Sequence, residues 1–452
     1  SYHSQLNLNR LSNRESLVMV NYLLRPADVD KHVAELILEK TDGVPFFIEE
    51  FLKSLKDLRI IERVDDRYCL AENTEEVSIP ATVQDVIMTR IDALPESAKE
   101  VLQTGSAIDR EFSYALIKRV CDLPEEDLLR RLSSLRDSEL IYERGIYPES
   151  TYIFKHALTQ EVAYNGLLLK RRKDIHEEIG KAIEAIYPDR LEEHYELLAY
   201  HYGRSANADK AIQYLDLANR KAARLNAMEE AKAYFDEAME HLDKLPETEN
   251  SRQRRISLLA NQVTVFDQLF KLPEYYELLT HYEPMASALD NAEPLGAFYV
   301  GLGRCEYSFG YFDQAIQTLG RAAELAEASG NLEEAGHAYA ELAWFHVYRG
   351  NYDRVFNFKE LALHKMEQRF NLRWYIRALV AASRACTHLG RWDEAVELGQ
   401  KALSIAEEYS NNGLISFAAW NLSIANNWKG DLGRGIEYGE LAVQKAQTPY
   451  NK

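Results

Sequence analysis

Gly310-Tyr311-Phe312-Asp313-Gln314-Ala315, Gly350-Asn351-Tyr352-Asp353-Arg354-Val355, Gly390-Arg391-Trp392-Asp393-Glu394-Ala395 and Gly430-Asp431-Leu432-Gly433-Arg434-Gly435 are four copies of one phrase, set 40 residues apart. A fixed period of this length is the signature of a helical solenoid, whose units bury their apolar faces only against their neighbours. The same columns recur around each glycine. A small residue lies seven positions before it (Gly303, Ala343, Ser383, Ser423) and a large apolar one two after it (Phe312, Tyr352, Trp392, Leu432). An alanine lies twelve after it (Ala322, Ala362, Ala402, Ala442). These columns predict two antiparallel helices per repeat. Small residues let the helices approach, the large side chain plugs the space between repeats, and the glycine turns the chain without a Cβ penalty. Asp313, Asp353 and Asp393 are expected to cap the second helix at its positive end.

The column pattern resembles the tetratricopeptide repeat, in a form longer than the usual ~34 residues. An earlier copy carries Tyr195, Leu198, Ala199, Ala211, Leu215 and Ala218 in matching places; a weaker one carries Ala231, Phe235 and Ala238. A degenerate copy is expected over about 252–289. The fourth strong unit has Gly433 and Gly435 where Asp and Ala are expected, a loosening that suits a terminal repeat or one whose neighbour has been cut away. All five tryptophans fall in the last three repeats. Trp392 holds a register position and reads as structural. Trp344, Trp420 and Trp428 are off register, either core residues or candidates to line a concave partner-binding face.

At 452 residues, 46% of them apolar, the chain has room for several domains. A net charge of −19 argues against non-specific binding to nucleic acid or an anionic membrane. No apolar run approaches the ~18–20 residues of a membrane span, and the opening residues do not read as a signal peptide, so none is expected. Cys69, Cys121, Cys305 and Cys386 are scattered and read as buried thiols of a reducing compartment, so the expected location is cytoplasmic. The sequence opens on Ser1-Tyr2-His3-Ser4 and stops at Lys452, one turn past a repeat, and it reads as a piece of a larger protein.

The first 190 residues have a different character. Asp28 to Leu58 reads as two helices broken by Thr41-Asp42-Gly43-Val44-Pro45, and Ile60 to Leu70 as a hairpin turning at Asp65-Asp66. Thr82-Val83-Gln84-Asp85 is an N-cap signal for a helix through about Leu94. Helices are expected at about 96–106, 113–121 and 125–137, then short strands at Leu140-Ile141-Tyr142 and Tyr152-Ile153-Phe154. Three helices closed by a β-ribbon make a winged-helix domain. A helix then opens at His156, and the basic run Lys170 to Lys173 reads as a solvated face leading into the repeats.

Four segments here resemble one family: Leu11-Ser12-Asn13-Arg14-Glu15-Ser16, the stretch from Thr41 to Glu50, Ile79-Pro80-Ala81-Thr82-Val83, and the stretch from Phe154 to Tyr164. The family is the bacterial STAND-class signalling ATPases with tetratricopeptide repeats, particularly those fused to class III adenylate/guanylate cyclase domains. The resemblance is close over 1 to about 202 and holds in kind over the repeats. It implies a mostly α fold: a helical lid and a winged-helix domain, then a tetratricopeptide-like right-handed α-solenoid. The expected divisions are 1–24, a C-terminal remnant of the ATPase core ending its sheet at Leu6-Asn7-Leu8; 25–78, the lid with its hairpin; 79–165, the winged helix; 166–190, a linking helix; and 191–452, about seven helix pairs. In the family, the Gly-x-Pro of the lid packs on adenine and the His after the wing reaches the β-phosphate of ADP. By resemblance these would be Gly43, Pro45 and His156, a partial ADP/ATP site complete only in the parent protein, with Mg. The plainer alternatives are a helix break at Gly43-Val44-Pro45 and a helix cap or core contact at His156.

The chain carries no G-x-x-x-x-G-K-[ST], no strand ending in paired acids, and no G-x-S-x-G, H-E-x-x-H or catalytic Cys/His signature. It is therefore expected to be no enzyme by itself, with no catalytic residue, metal or resident cofactor. The expected function is the regulatory, protein-interaction arm of a nucleotide-switched ATPase that controls a cyclase. A protein partner or small inducer would bind in the solenoid, and the ATPase and cyclase domains would belong to the same parent chain. The alternatives are the sensor arm of a MalT-type transcription regulator, with its DNA reader beyond this chain, or a kinase-linked version.

Overall fold

The computed structural model of the chain describes residues 9–25, 28–57, 59–64, 66–71, 82–289, 291 and 294–446. Leu6-Asn7-Leu8, Ile79-Pro80-Ala81, Leu58 and Asp65, on which part of the sequence reading rests, lie outside them. Packing divides the chain into two compact units, Ser1–Asn207 and Ala208–Lys452. Among the described residues no helix is long and apolar enough to cross a membrane.

The first unit opens with α1 (Asn13–Leu24), started by a capping box in which Ser12 and Glu15 satisfy each other's backbone N–H groups. Strand β1 (Asp28–Val29) follows, then α2 (Lys31–Thr41) and α3 (Pro45–Asp57), then the hairpin β2 (Ile61–Val64) and β3 (Arg67–Leu70). The sequence reading began the first of these helices at Asp28. Instead Asp28 and Val29 pair in parallel with Arg67 and Tyr68, and Asp30 caps α2 by accepting from the His32 and Val33 N–H groups. One apolar core holds these elements together, with Val20, Leu24, Ile37, Ile48, Phe51 and Leu55 all buried. The α1 segment thus shares its core with α2 and α3.

Helix α4 (Val83–Asp92) is opened by a Thr82–Asp85 capping box. After it come α5 (Glu96–Ile108), β4 (Glu111–Ser113), α6 (Tyr114–Cys121), α7 (Glu125–Asp137), β5 (Ile141–Arg144) and β6 (Thr151–Phe154). The three strands form an antiparallel sheet in the order β4-β6-β5, so the wing has one strand more than the sequence reading assigned. Gly105 is needed inside α5 because a Cβ there would lie 2.7 Å from the Phe112 ring that β4 inserts. Helices α8 (Ala157–Asn165), α9 (Leu169–Ile186) and α10 (Tyr195–Gly203) complete the unit. Within the basic run, Arg172 donates to the Leu167 and Asn165 carbonyls at the end of α8 while its neighbours face solvent.

The second unit contains α11 (Ala208–Arg224), α12 (Met228–Asp243), α13 (Glu249–Ala260), α14 (Val263–Gln268) and α15 (Leu272–Ser287), then four regular pairs. These are α16 (Leu295–Ser308) with α17 (Phe312–Ala328), α18 (Leu332–Tyr348) with α19 (Tyr352–Gln368), α20 (Leu372–His388) with α21 (Trp392–Glu408), and α22 (Asn412–Lys429) with α23 (Leu432–Ala446). The period is as expected, a helical array of tetratricopeptide type. Each phrase glycine has positive φ, from 69° to 91°, and open space where a Cβ would sit, so only the backbone conformation calls for glycine there.

The columns act differently in part. The small residue seven before the glycine lies against the backbone of the residue twelve further on: the Ser383 hydroxyl donates to the Ala395 carbonyl and that of Ser423 to Gly435, both at 2.7 Å. The alanine column is buried throughout. The large column is only partly buried: Phe312 and Trp392 are about 40% exposed and Leu432 more so, while Phe312 packs its ring on Tyr307 and Tyr352 stacks on His388 of the next repeat. Asp313 and Asp393 do not cap; they bridge to Arg349 and Lys429, one residue before the next glycine. Gly435 is no loosening either. A Cβ there would lie 2.0 Å from Asn427 Oδ1, so the glycine permits the close α22–α23 approach.

Candidate functional site

Among the described residues no group of three or more His, Cys, Asp or Glu is placed to hold a metal ion. Burial pushes the thiols of Cys121, Cys305 and Cys386 up to about 11, 12 and 11, which makes poor nucleophiles. Chemistry at two other places stands out, one in each unit.

In the first unit, α3 faces the winged helix. Its start is a sharp reversal: Asp42 has φ 46° and Gly43 φ 69°, and Pro45 opens the new helix with φ already suited to it. Gly43 is buried and exchanges a bond with the incoming chain, Leu11 N–H donating to its carbonyl at 2.8 Å. A Cβ at 43 would sit 2.2 Å from the Leu11 carbonyl oxygen. The helix break therefore has its own steric reason. Pro45 is exposed, and one residue on, the Phe46 ring stacks on His156 with centroids 3.6 Å apart. His156 is the N-cap residue of α8, yet its side chain makes no capping bond, and its buried Nε2 has no partner. Burial, with Lys155 beside it, lowers its pKa, which favours the neutral ring.

A charged lattice ties the same face of α3 to the wing. Lys155 donates to Glu49 at 3.2 Å and to Glu139 at 3.1 Å, and Lys53 pairs with both carboxylates as well. Hydrogen bonds from Lys53 and Lys155 hold the Glu139 carboxyl down to about 2. Beneath it, the Arg90–Glu50 pair is nearly closed to water, and Arg90 also donates to the Ser138 carbonyl at 2.8 Å. Of the turn from Gly43 to Phe46, it is Phe46 that touches His156. The sequence reading did not single out Phe46, Glu50, Lys53, Arg90 or Lys155, although the Glu49-Lys53 spacing of four marks one helix face.

In the second unit, the first helices of successive repeats pack side by side, and a strip of arginine and aromatic side chains crosses α16, α18, α20 and α22. Glu341 is fully buried at its centre. It accepts from Arg377 at 2.8 Å and pairs with Arg304 at 3.5 Å. Although burial opposes ionisation, Arg377, Arg304 and His337 hold this carboxyl below the usual range. Arg377 lies over the Trp344 ring at 4.8 Å and Arg384 over Trp420 at 4.4 Å, with Phe417 touching both tryptophans.

Of the three off-register tryptophans, Trp344 is 7% exposed and packs into the strip, Trp420 is half-exposed upon it, and Trp428 is exposed, its ring 6.3 Å from His388. The arginines were missed in the sequence. Arg377 and Arg384 are seven apart on one helix face, but surface helices carry such pairs routinely.

A family model described as a domain of unknown function, DUF8739, matches residues 12–69. An uncharacterised protein of Rhizobium meliloti (strain 1021) is 22% identical over 223 residues, covering 48% of this chain and 21% of that protein. Hybrid signal transduction histidine kinase G of Dictyostelium discoideum is 22% identical over 193 residues, covering 34% of this chain and 6% of that protein. Similar solved structures include the following two. A STAND protein with a tetratricopeptide repeat sensor from Pyrococcus horikoshii has TM-score 0.41 and 13% identity, covering 99% of this chain and 68% of that one. Aspartyl phosphate phosphatase F from Bacillus subtilis has TM-score 0.48 and 14% identity, covering 80% and 97%. The chain spans about a fifth of the first curated relative's length and much less of the second's.

Proposed function

We propose that this chain is the regulatory, partner-sensing arm of a nucleotide-switched signalling ATPase, whose parent protein controls an adenylate or guanylate cyclase. The repeats take the partner; the lid and winged helix close over ADP in the parent protein and release on exchange for ATP. The observation that carries this reading is the face of α3. Phe46, Glu49, Glu50 and Lys53 all engage groups of the winged helix or of α4. The partnerless Nε2 of His156 suits a phosphate oxygen: a neutral imidazole N–H donates one bond, and the exposed Pro45 offers a flat apolar wall. ADP would supply the charge and hydrogen-bond acceptors that set the closed arrangement.

Two measurements test this. The chain spanning 1–452 is expected to show negligible ATP affinity, because it lacks a phosphate-cradling loop; micromolar binding would overturn the division of labour. In the parent protein, His156→Ala is expected to lose ADP on gel filtration, and full retention would remove the phosphate role. The similarity to a histidine kinase of D. discoideum keeps a kinase output as the second reading. The domain encoded upstream decides between them.

A further inference from the structure

The second unit's strip is a local inversion of charge. In a chain of 72 acidic and 53 basic residues, four arginines gather on it: Arg304, Arg373, Arg377 and Arg384. The carboxylates facing them are Glu341, shared by Arg304 and Arg377, and Asp267, which lies 3.5 Å from Arg304. Among the described residues Arg384 forms no salt bridge, and Arg373 forms none either, although Glu341 and Asp267 act on it from further off.

The donors are also left over. Arg304 Nη1, Arg377 Nε, and both Nε and Nη2 of Arg384 are buried without an acceptor. Such N–H groups are costly to leave unmade, and a planar guanidinium fork is shaped for a carboxylate. Arg373 is accessible yet closely surrounded; that crowding, with Arg304 and Arg377 beside it, pushes its pKa down to about 10. Each of these features would be relieved by an incoming anion. Between the arginine groups lie Phe417 and the half-exposed Trp420, which favour an apolar group.

We infer that the strip across α16, α18, α20 and α22 binds an acidic segment of a partner polypeptide, with one carboxylate taken at Arg373 and Arg377, a second at Arg384, and an apolar side chain between them. This names the chemistry of the partner left open above and rests on the reading of the repeats as the partner-binding part, not on the nucleotide reading. The spacing agrees. Seven helical residues separate Arg377 from Arg384 by about 10 Å, which an extended peptide covers in about three residues.

The test uses the 1–452 chain and the peptide acetyl-Glu-Leu-Leu-Glu-amide, followed by the tryptophan indole N–H resonances, with Trp420→Phe to assign one of them. The Trp344 and Trp420 signals are expected to shift saturably. The Gln-Leu-Leu-Gln counterpart, and the Arg373→Gln/Arg384→Gln variant with unchanged melting temperature, are expected to bind about tenfold more weakly or worse. Neither arginine forms a salt bridge in the fold, so the variant is expected to fold. Equal binding of both peptides, no binding of either, or saturation by acetate or orthophosphate at the same concentration overturns the proposal. Failure here would leave the ADP test of the parent protein untouched.

Discussion

Replacing Arg90 by Leu tests whether α3 and the winged helix are one electrostatic unit. Arg90 is 12% exposed and Glu50 only 2%, and Glu50 already has one oxygen without a partner. Arg90 also satisfies the Ser138 carbonyl at the end of α7, so a single side chain links α3, α4 and the entry to β5. Removing one member of a buried pair strands the other, which costs about 3–5 kcal/mol. For a unit near 200 residues, each kcal/mol lowers the melting temperature by about 2–4 °C, so Arg90→Leu is expected to lower the first unit's transition by about 6–20 °C. The pH dependence identifies the cause. A carboxylate closed to water without its counter-ion is cheaper to hold protonated, so the variant's folded form binds a proton that the unfolded chain releases. Its deficit relative to wild type should therefore shrink from pH 7.5 to pH 5. Glu50→Leu/Arg90→Leu should recover most of the loss, because an apolar pair leaves no charge stranded. Differential scanning calorimetry at the two pH values reads all three proteins. A loss under about 2 °C, a loss independent of pH, or a double variant no better than the single one would refute the argument.

Gly43→Ala is expected to destabilise the first unit by about 2 kcal/mol or more in chemical denaturation, through positive φ and the 2.2 Å approach to Leu11; a change below about 0.5 kcal/mol would show the reversal to be slack. His176 and His201 place their Nδ1 atoms 2.9 Å apart, and burial lowers them to about 4 and about 3. The unfolded chain binds their protons first, near pH 6.5, so stability is full above that pH and falls as pH drops toward 4. His176→Gln/His201→Leu should flatten that slope in thermal melts, and an unchanged slope would assign it to other groups. Gly303→Leu is expected to open the α16–α17 pair, since even a Cβ would lie 2.8 Å from Leu319; amide exchange in α17 as slow as wild type would count against that close fit.

The array was legible because a solenoid repeats its local solution: the period, the glycine turns and the alanine column all follow from contacts between near neighbours in sequence. Helix boundaries in the first unit followed from caps such as Thr82–Asp85 for the same reason. The side-chain roles within the pattern were less legible. Trp392 and Phe312 occupy a repeated column yet are about 40% exposed, because how far the first helical turn is covered is set by how the pairs stack. Ser383 looked merely small, whereas its hydroxyl crosses to the Ala395 carbonyl.

By itself, then, the sequence determined the helix pairs and the winged-helix order, since both are written in short spacings. Tertiary structure alone decided which charges meet. Lys155 finds Glu49 across 106 positions, and Arg377 finds Glu341 across 36. An arginine on a helix reads the same whether it faces water or Trp420. Only packing removes the water around it, and that removal makes a missing partner matter.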